Sequence, residues 1–331
     1  MIVDVHAHAI VPEITREHGD EPWRPSVRWE DGAQVVELGG LAIRSAVREF
    51  VRVERMQEEA AAEGIDRLVL SPWVNLLGHD LEPREAAACC AIQNDALAEA
   101  CRSDRIAALG TVPLQDPPKA AADLERLMAE RALAGVEVGA SVRGVWLGDD
   151  RFAPFWEAAE STAALVFVHP TTRGFPIQAL QEHYLWNTVG NPLETATSAA
   201  HLVMAGVLER HPRLRIVLAH GGGALMAVRG RLRHAHGFQT QARSRLREAP
   251  EVSLRRLYYD SITHDRGLLA DLVEFAGPER VLLGTDRPFD MGTTGAVEEV
   301  ASLGLDESAT RAILGGTAAR LLGDADDSRR W

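Results

Sequence analysis

Eight short apolar runs alternate with longer amphipathic stretches, and this alternation most limits what the chain can fold into. The runs are nearly continuous in apolar, largely β-branched side chains, which indicates strands buried on both faces of a parallel sheet. The stretches between them have helical periodicity. The strand-like runs span residues 2–7, 67–73, 105–114, 135–140, 164–170, 215–222, 257–263 and 280–286. Eight such units predict one (β/α)8 TIM-type barrel domain over residues 1–331, with an open doubly wound sheet as the structural alternative.

Residues 9–50 do not fit this repeat. Their turn signals at Asp31-Gly32 and Gly39-Gly40 predict a small β insertion after the first strand. An insertion at that point would lie over the mouth of the barrel. The irregular segment 171–192, after the fifth strand, is expected to line the same mouth.

Bulk properties exclude several classes of protein. The net charge of −13 argues against nucleic acid or an anionic membrane as partner, because phosphate groups require a positive surface. No apolar run approaches the roughly 18 residues that a membrane span needs, and the amino terminus has no basic leader. The three cysteines fall in one helical pattern without a CxxC pair, as expected of buried residues in a reduced compartment. We therefore expect a cytoplasmic protein.

The first strand carries His6 and His8 at its end. Alternate residues of a strand point to the same side, so both imidazoles can converge on one ion. His169, His220 and Asp286 close the fifth, sixth and eighth strands. The carboxyl ends of all barrel strands meet on one face, where barrel active sites lie. The pattern therefore predicts a metal site at that face.

Three imidazoles and a carboxylate suit Zn²⁺, with Mn²⁺, Fe²⁺ or Co²⁺ as alternatives. We assign His6, His8, His169 and Asp286 as ligands. His220 is either a further ligand or, as we favour, the catalytic acid/base.

A second metal is not expected. Two-metal barrel hydrolases commonly use a carboxylated lysine at the end of the fourth strand. The only lysine here, Lys119, follows the third strand, and the fourth strand, GVEVGA, has none. One divalent metal is the better interpretation.

The motifs DVHAH, FVHP, LAHGGG and LLGTDRPF, in this order and spacing, resemble the amidohydrolase superfamily. More narrowly, the chain resembles the branch that contains 2-amino-3-carboxymuconate-6-semialdehyde decarboxylase and related metal-dependent decarboxylases. The resemblance extends from residue 1 to about residue 322. It implies a mononuclear zinc site at the four ligands named above, with His220 as acid/base and Asp286 as a catalytic residue as well as a ligand. The HxH pattern, rather than ExA, disfavours the resorcylate-type decarboxylases.

The resemblance also implies arginines that recognise the substrate carboxylate. Arg231 matches the one that follows HGGG, which can reach the neighbouring site in a homodimer. Arg44 is the nearest match to another in the insertion, with Arg48 as its competitor. Arg173 is a third candidate because of its position after His169 rather than because of a family motif.

The chain departs from the branch near the substrate. Arg287 replaces an aromatic residue after the aspartate ligand, and Asn187, next to Trp186, replaces a tryptophan. The insertion is also shortened. We expect these changes to affect substrate recognition, and we include Asn187 among the substrate-binding residues.

Together these features predict a metal-dependent non-oxidative decarboxylase of a small unsaturated or aromatic carboxylic acid. The alternative is a hydrolase or hydratase that uses the same metal-bound hydroxide on a lactone, amide, C–C bond or alkene. A metal-stabilised binding protein without catalysis is a third hypothesis, and His220 beside a complete ligand set argues against it.

Overall fold

The eight predicted barrel strands form a single parallel sheet in chain order. The computed structural model describes residues 1–31, 33–38, 41–45, 52–130, 132–171 and 177–323, with the side chains of residues 41 and 43–45 outside the description. The strands are β1 (Val3–Ala9), β2 (Ser26–Glu30), β3 (Ala33–Leu38), β4 (Leu41–Ser45), β5 (Arg67–Pro72), β6 (Ile106–Gly110), β7 (Gly135–Gly139), β8 (Ser141–Val142), β9 (Val145–Trp146), β10 (Leu165–His169), β11 (Arg215–Leu218), β12 (Tyr258–Asp260) and β13 (Val281–Leu282). The barrel sheet has the order β1-β5-β6-β7-β10-β11-β12-β13.

Helices follow the barrel strands and pack outside them. They are α1 (Val53–Ala62), α2 (Pro83–Ala100), α3 (Pro117–Glu130), α4 (Ala153–Thr162), α5 (Asn191–Met204), α6 (Val207–Arg210), α7 (Leu225–Phe238), α8 (Pro250–Leu254), α9 (Arg266–Ala276), α10 (Ala296–Ala301), α11 (Glu307–Arg311) and α12 (Thr317–Leu322). Among the described residues, no helix combines the length and the apolarity that crossing a membrane requires.

Backbone hydrogen bonds join the residues that follow the last barrel strand, β13, to the first strand, β1. The Val5 N–H donates to the Leu283 carbonyl at 2.9 Å, and the Asp286 N–H donates to the His6 carbonyl at 2.8 Å. The sheet therefore closes on itself, which confirms the predicted barrel against the open-sheet alternative.

The insertion after β1 contains the predicted β structure. β2, β3 and β4 form an antiparallel sheet of three strands, and β3 pairs with both of its neighbours. Ala42 on β4 lines the large cavity at the mouth of the barrel, so this sheet borders the mouth as the sequence predicted.

The interior of the barrel is filled by apolar side chains below its polar end. Full burial of one such Val, Leu or Phe side chain contributes roughly 1.5–3 kcal/mol relative to exposure. This interior cluster includes Val3, Val5, Val69, Leu109, Phe167, Val217 and Leu282. A larger apolar cluster lies between the strands and the helices.

β1 changes the face that it presents to the interior partway along its length. Val5 belongs to the interior cluster, yet the next residue, His6, also contacts Phe167 inside the barrel, with ring centroids 4.7 Å apart. The pairing register shifts between Asp4 and Ala7. Such a β-bulge re-aims the side chains that follow it. This irregularity brings the HxH histidines into the barrel mouth.

Arg287 points away from the mouth, which makes our expectation of a role in substrate recognition wrong for this residue. Its side chain is 1% exposed. The guanidinium Nε lies 3.3 Å from Asp4 Oδ2 and 3.0 Å from Thr285 Oγ1, and Nη2 lies 3.0 Å from Glu63 Oε2. Burial raises the pKa of the Asp4 carboxyl, and the charge of Arg287 opposes this shift. A cation beside Asp4 is therefore needed where the last strand meets the first.

We expect Arg287→Met to destabilise the fold by about 3–5 kcal/mol, because it leaves the Asp4 carboxylate buried without its cation. Arg126→Met is the matched control, since Arg126 makes an exposed ion pair with Glu130 that is worth less than about 1 kcal/mol. Denaturant unfolding compares the two variants. The loss of unfolding free energy should be smaller in the double variant Asp4→Asn/Arg287→Met than in Arg287→Met alone. Equal stability of the two single variants would show that the buried pair is dispensable.

Candidate metal centre and catalytic site

The polar ends of four barrel strands meet at one end of the barrel. His6 and His8 come from β1, and His169 ends β10. His220 follows β11, and Asp286 follows β13. Neighbouring imidazole centroids lie 4.9 to 5.3 Å apart. The structure thus brings together all five residues that the sequence predicted for metal binding and catalysis.

Three of the histidines have an acceptor at Nδ1. His6 Nδ1 lies 2.6 Å from Asp260 Oδ2, and His8 Nδ1 lies 3.1 Å from the Pro72 carbonyl. His169 Nδ1 lies 2.8 Å from the carbonyl of the residue that follows it. A proton held at Nδ1 leaves Nε2 as a lone pair. All three rings are therefore arranged as ligands through Nε2.

The Nε2 atoms converge on a carboxylate. His6 Nε2 and His8 Nε2 are 3.0 Å apart, and they lie 3.3 and 3.4 Å from Asp286 Oδ1. His169 Nε2 and Asp286 Oδ1 are buried with no hydrogen-bond partner among the described residues. Lone pairs this close repel one another unless a cation lies between them. The donor set therefore fits a divalent metal.

His220 differs from the other histidines. Its Nε2 lies 3.3 Å from Asp286 Oδ2, while its Nδ1 has no hydrogen-bond partner among the described residues. Ligand atoms of His6, His169, His220 and Asp286 all lie within 4.8 Å of one another. His220 is therefore near enough to be a ligand, but its tautomer is not fixed in the way that the other three are.

The turn after His220 depends on glycine. Gly221, Gly222 and Gly223 all have positive φ, and a Cβ on Gly223 would lie 2.2 Å from the Pro192 carbonyl. His220 itself has φ of 56°, a conformation that non-glycine residues adopt mainly at strained or functional positions. The turn thus aims His220 at the site while the following backbone packs against α5.

Carboxylates give the site a negative potential. Burial lowers the pKa of His6, but the charge of Asp286 and the hydrogen bond to Asp260 outweigh burial and raise it to about 10. Burial also lowers the pKa of His8, and the Glu137 and Asp286 carboxylates raise it to about 9. Burial raises the pKa of Asp286, but His6 and the other histidines hold it well below the usual value. A potential that holds protons on imidazoles also attracts a metal cation.

Asp260 is a functional residue that the sequence interpretation missed. It is fully buried at the end of β12, and its Oδ2 contacts His6 Nδ1 and accepts the His220 N–H at 2.9 Å. Its Oδ1 accepts the Gly221 N–H at 2.8 Å. Its place at a strand end, like that of Asp286, was the available signal.

Glu137 is the second residue that was missed. It lies on the fourth barrel strand, β7, and is fully buried. Its Oε2 is 3.5 Å from His8 Nδ1. The sequence interpretation searched this strand for a lysine and did not consider its carboxylate.

A cavity of about 780 Å³ opens above the site. His169, His220 and Asp286 lie among its lining residues. Its walls include four aromatic and three amide side chains, and Val74, Ile262, Leu268 and Met291 add apolar surface. The aromatic and amide residues are Trp73, Tyr184, Trp186, Phe289, Asn75, Asn187 and Asn191. A planar ring with polar substituents fits such a lining.

The predicted substrate-binding residues fall into three groups. Asn187 lines the cavity, within the π-helical turn Trp186–Gly190. Arg231 is exposed on α7 and is not among the described lining residues. Arg173 and Arg48 lie outside the described residues, and for Arg44 only the backbone, on β4, is described.

Comparison with known proteins identifies the family. The sequence profile described as amidohydrolase matches residues 3–323. The chain belongs to the amidohydrolase family. It is 29% identical over 270 residues to 2-amino-3-carboxymuconate-6-semialdehyde decarboxylase of Dictyostelium discoideum, covering 80% of this chain and 75% of that protein. It is 30% identical over 221 residues to gamma-resorcylate decarboxylase of Rhodococcus jostii, covering 60% of this chain and 65% of that protein.

Solved structures of other proteins have the same fold. IDCase from Metarhizium anisopliae superposes with a TM-score of 0.84 at 24% identity, covering 98% of this chain and 97% of that one. A dihydroxybenzoic acid decarboxylase from Polaromonas, with bound manganese and the inhibitor 2-nitroresorcinol, gives 0.79 at 20% identity, covering 97% and 96%. The protein is thus an amidohydrolase-family enzyme whose named relatives are decarboxylases.

The tautomer pattern predicts different results for two histidine variants. His8→Ala should lose most of the bound metal, because one of the three Nε2 lone pairs disappears. His220→Ala should keep about one metal per chain. Elemental analysis after dialysis against Zn²⁺ or Mn²⁺ measures both. If metal were lost only in His220→Ala, His220 would be the ligand and His8 would not.

Proposed function

We propose that the protein is a metal-dependent non-oxidative decarboxylase of a small aromatic or unsaturated carboxylic acid. The observation that carries this proposal is the convergence of three Nε2 lone pairs and Asp286 beside His220, whose Nδ1 has no described partner, beneath an aromatic cavity. The decarboxylase activity named for the relatives from Dictyostelium discoideum and Rhodococcus jostii supports it.

His6, His8, His169 and Asp286 would hold one divalent metal. When bound, the metal supplies positive charge that holds a substrate oxygen and offsets the negative charge left on the substrate. The nitrogen and oxygen donors favour Zn²⁺, and Mn²⁺, Fe²⁺ and Co²⁺ suit the same set. Manganese in the Polaromonas relative supports including Mn²⁺ among the candidates.

His220 moves the proton in this proposal. Loss of CO2 breaks the bond between the carboxyl carbon and its neighbour and leaves the electron pair on that neighbour. The His220 imidazole delivers a proton to the same carbon, so the products are CO2 and the protonated compound. Asp286 Oδ2, 3.3 Å from His220 Nε2, holds the ring in place.

The cavity walls select the substrate. Trp186 and Phe289 offer apolar faces against which a planar ring can stack. Asn187 offers an amide donor and acceptor for a ring substituent. These walls also displace water, which strengthens electrostatic interactions at the reacting centre.

Arg44 is our first candidate for binding the substrate carboxylate, because its strand borders the cavity through Ala42. Arg173 is a second candidate through its position after His169. Arg231, which is exposed on α7, would act only across a homodimer interface. We propose such a homodimer as the working assembly.

The decarboxylase proposal predicts CO2 release from at least one aromatic or unsaturated carboxylic acid. A suitable panel contains 2,6-dihydroxybenzoate, 5-carboxyvanillate and 2-amino-3-carboxymuconate semialdehyde, the substrates implied by the relatives' names. In D2O the product should carry one deuterium at the carbon that lost CO2. His220→Ala should reduce turnover by at least about 100-fold. His183→Ala, at a side chain that is 83% exposed, is the control and should remain active.

A different outcome separates the hydrolase or hydratase alternative. If no carboxylate in a broad panel releases CO2, while ¹⁸O from water enters the product of a lactone, amide or alkene, the decarboxylase proposal fails.

Arg44→Met is expected to lower kcat/KM by roughly 10- to 100-fold, mainly through KM, because a charge-assisted hydrogen bond to the carboxylate is lost. Arg28→Met is the matched control, since Arg28 lies in the same small sheet and pairs with Glu30 and Glu37. Steady-state kinetics on the substrate identified above compares them. Unchanged kinetics in Arg44→Met would transfer the role to Arg173 or Arg231.

A further inference from the structure

Glu137 is buried, and none of the described protein groups forms a hydrogen bond with its carboxylate. It lies on β7 opposite Phe167 in the strand pairing, and its exposed fraction is 0%. Neither carboxylate oxygen has a hydrogen-bond partner among the described residues. A charge in such surroundings is strongly destabilising unless an opposite charge lies near.

The neighbour of Glu137 belongs to the metal centre. Oε2 lies 3.5 Å from His8 Nδ1, on the side of the ring away from the Nε2 atom that faces Asp286. Asp260 lies behind His6 at a shorter distance, with its Oδ2 2.6 Å from His6 Nδ1, whereas His8 Nδ1 also faces the Pro72 carbonyl at 3.1 Å. Each histidine of the HxH motif therefore has a carboxylate behind it.

The two carboxylates differ in what else they contact. Asp260 also accepts three backbone N–H groups, from His220, Gly221 and Ile262, so its position is fixed by the fold. Glu137 has no such bonds among the described residues, and its ionic contact there is with His8. What Glu137 contributes is thus negative charge behind a metal-binding ring.

We propose that Glu137 is a positioning residue that strengthens metal binding through His8. Its charge polarises the His8 imidazole and increases the basicity of Nε2, as a carboxylate behind a metal-bound histidine generally does. It also offsets the positive charge of the cation. Glu137 lies on the Nδ1 side of the His8 ring, whereas Asp286 lies on the Nε2 side, so Glu137 acts through His8 rather than as a ligand. This inference rests on the proposed metal centre.

Glu137→Gln tests the inference because it removes the charge and keeps the shape. Protein stripped of metal by a chelator is titrated with Zn²⁺ in competition with a chromogenic chelator. The dissociation constant should rise about 10- to 100-fold. The melting temperature of the stripped protein is measured as well, because the same carboxylate faces His8 when no metal is bound. The further rise in melting temperature on adding Zn²⁺ should shrink.

Glu194→Gln is the matched control. Glu194 is 1% exposed, but its oxygens accept from Thr171 and Ser141. The substitution should lower the melting temperature and leave the Zn²⁺ dissociation constant within about threefold. A purely structural role for Glu137 would give this same result in Glu137→Gln, with stability lost and affinity kept, and would overturn the inference.

A second variant keeps the test decisive if Glu137→Gln does not fold. Glu137→Asp retains the charge on a shorter side chain and should bind Zn²⁺ more tightly than an uncharged Glu137→Ala variant. Equal affinity of these two would overturn the inference. Unchanged affinity in the Glu137 variants while the unsubstituted protein binds Zn²⁺ rejects only this inference. Absence of Zn²⁺ binding by the unsubstituted protein rejects the proposed metal centre itself.

Discussion

The contact between Asp260 and His6 is the one on which the rest of the site depends. A single buried carboxylate contacts the His6 ring and accepts the backbone N–H groups of His220 and Gly221. It therefore ties β1 to the turn after β11 from its own position on β12. The orientation of a ligand ring and the path of the catalytic turn are set by the same group. Because such charge-assisted hydrogen bonds are strong when buried, this one contact makes the geometry of three strand ends mutually dependent.

The fold and the primary site residues could be predicted because they follow from periodic patterns. Eight apolar runs defined the barrel, and chemistry-bearing residues at their ends pointed to one face. His6, His8 and Asp286 were recognisable because each stands at or next to the end of a predicted strand, with few structural reasons to be there. Strand alternation also gave the right relation between the two histidines of the HxH motif.

What the sequence could not supply depends on irregular or long-range contacts. The bulge between Asp4 and Ala7, which turns the histidines inward, leaves no mark in a pattern of period two. Glu137 sits within an apolar run, where a carboxylate carries no positional signal for a partner on another strand. Arg287 was misassigned for a related reason. Its position next to a ligand suggested the mouth, but the backbone turns it toward the outer side of the barrel.

The site divides into a part fixed by the barrel and a part supplied by loops. The candidate ligands come from strand ends, whereas the walls of the cavity come mainly from the loops after β5, β12 and β13 and from the segment before α5, with Ala42 from the insertion. This division explains how one family keeps its metal chemistry while relatives are named for different carboxylic acids. Substrate choice can change in the loops without disturbing the groups that hold a cation.

The orientation of the Arg287 side chain, away from the barrel mouth, limits how this enzyme could evolve or be redesigned. In a barrel, positions beside a catalytic residue are the usual places to alter selectivity. Here Arg287 belongs to an ion network at the junction of the first and last barrel strands. Random substitutions at this position would destabilise the fold, so their effect on specificity could not be tested. A library aimed at new substrates should leave residue 287 untouched and concentrate on Tyr184, Trp186 and Asn187, which line the mouth.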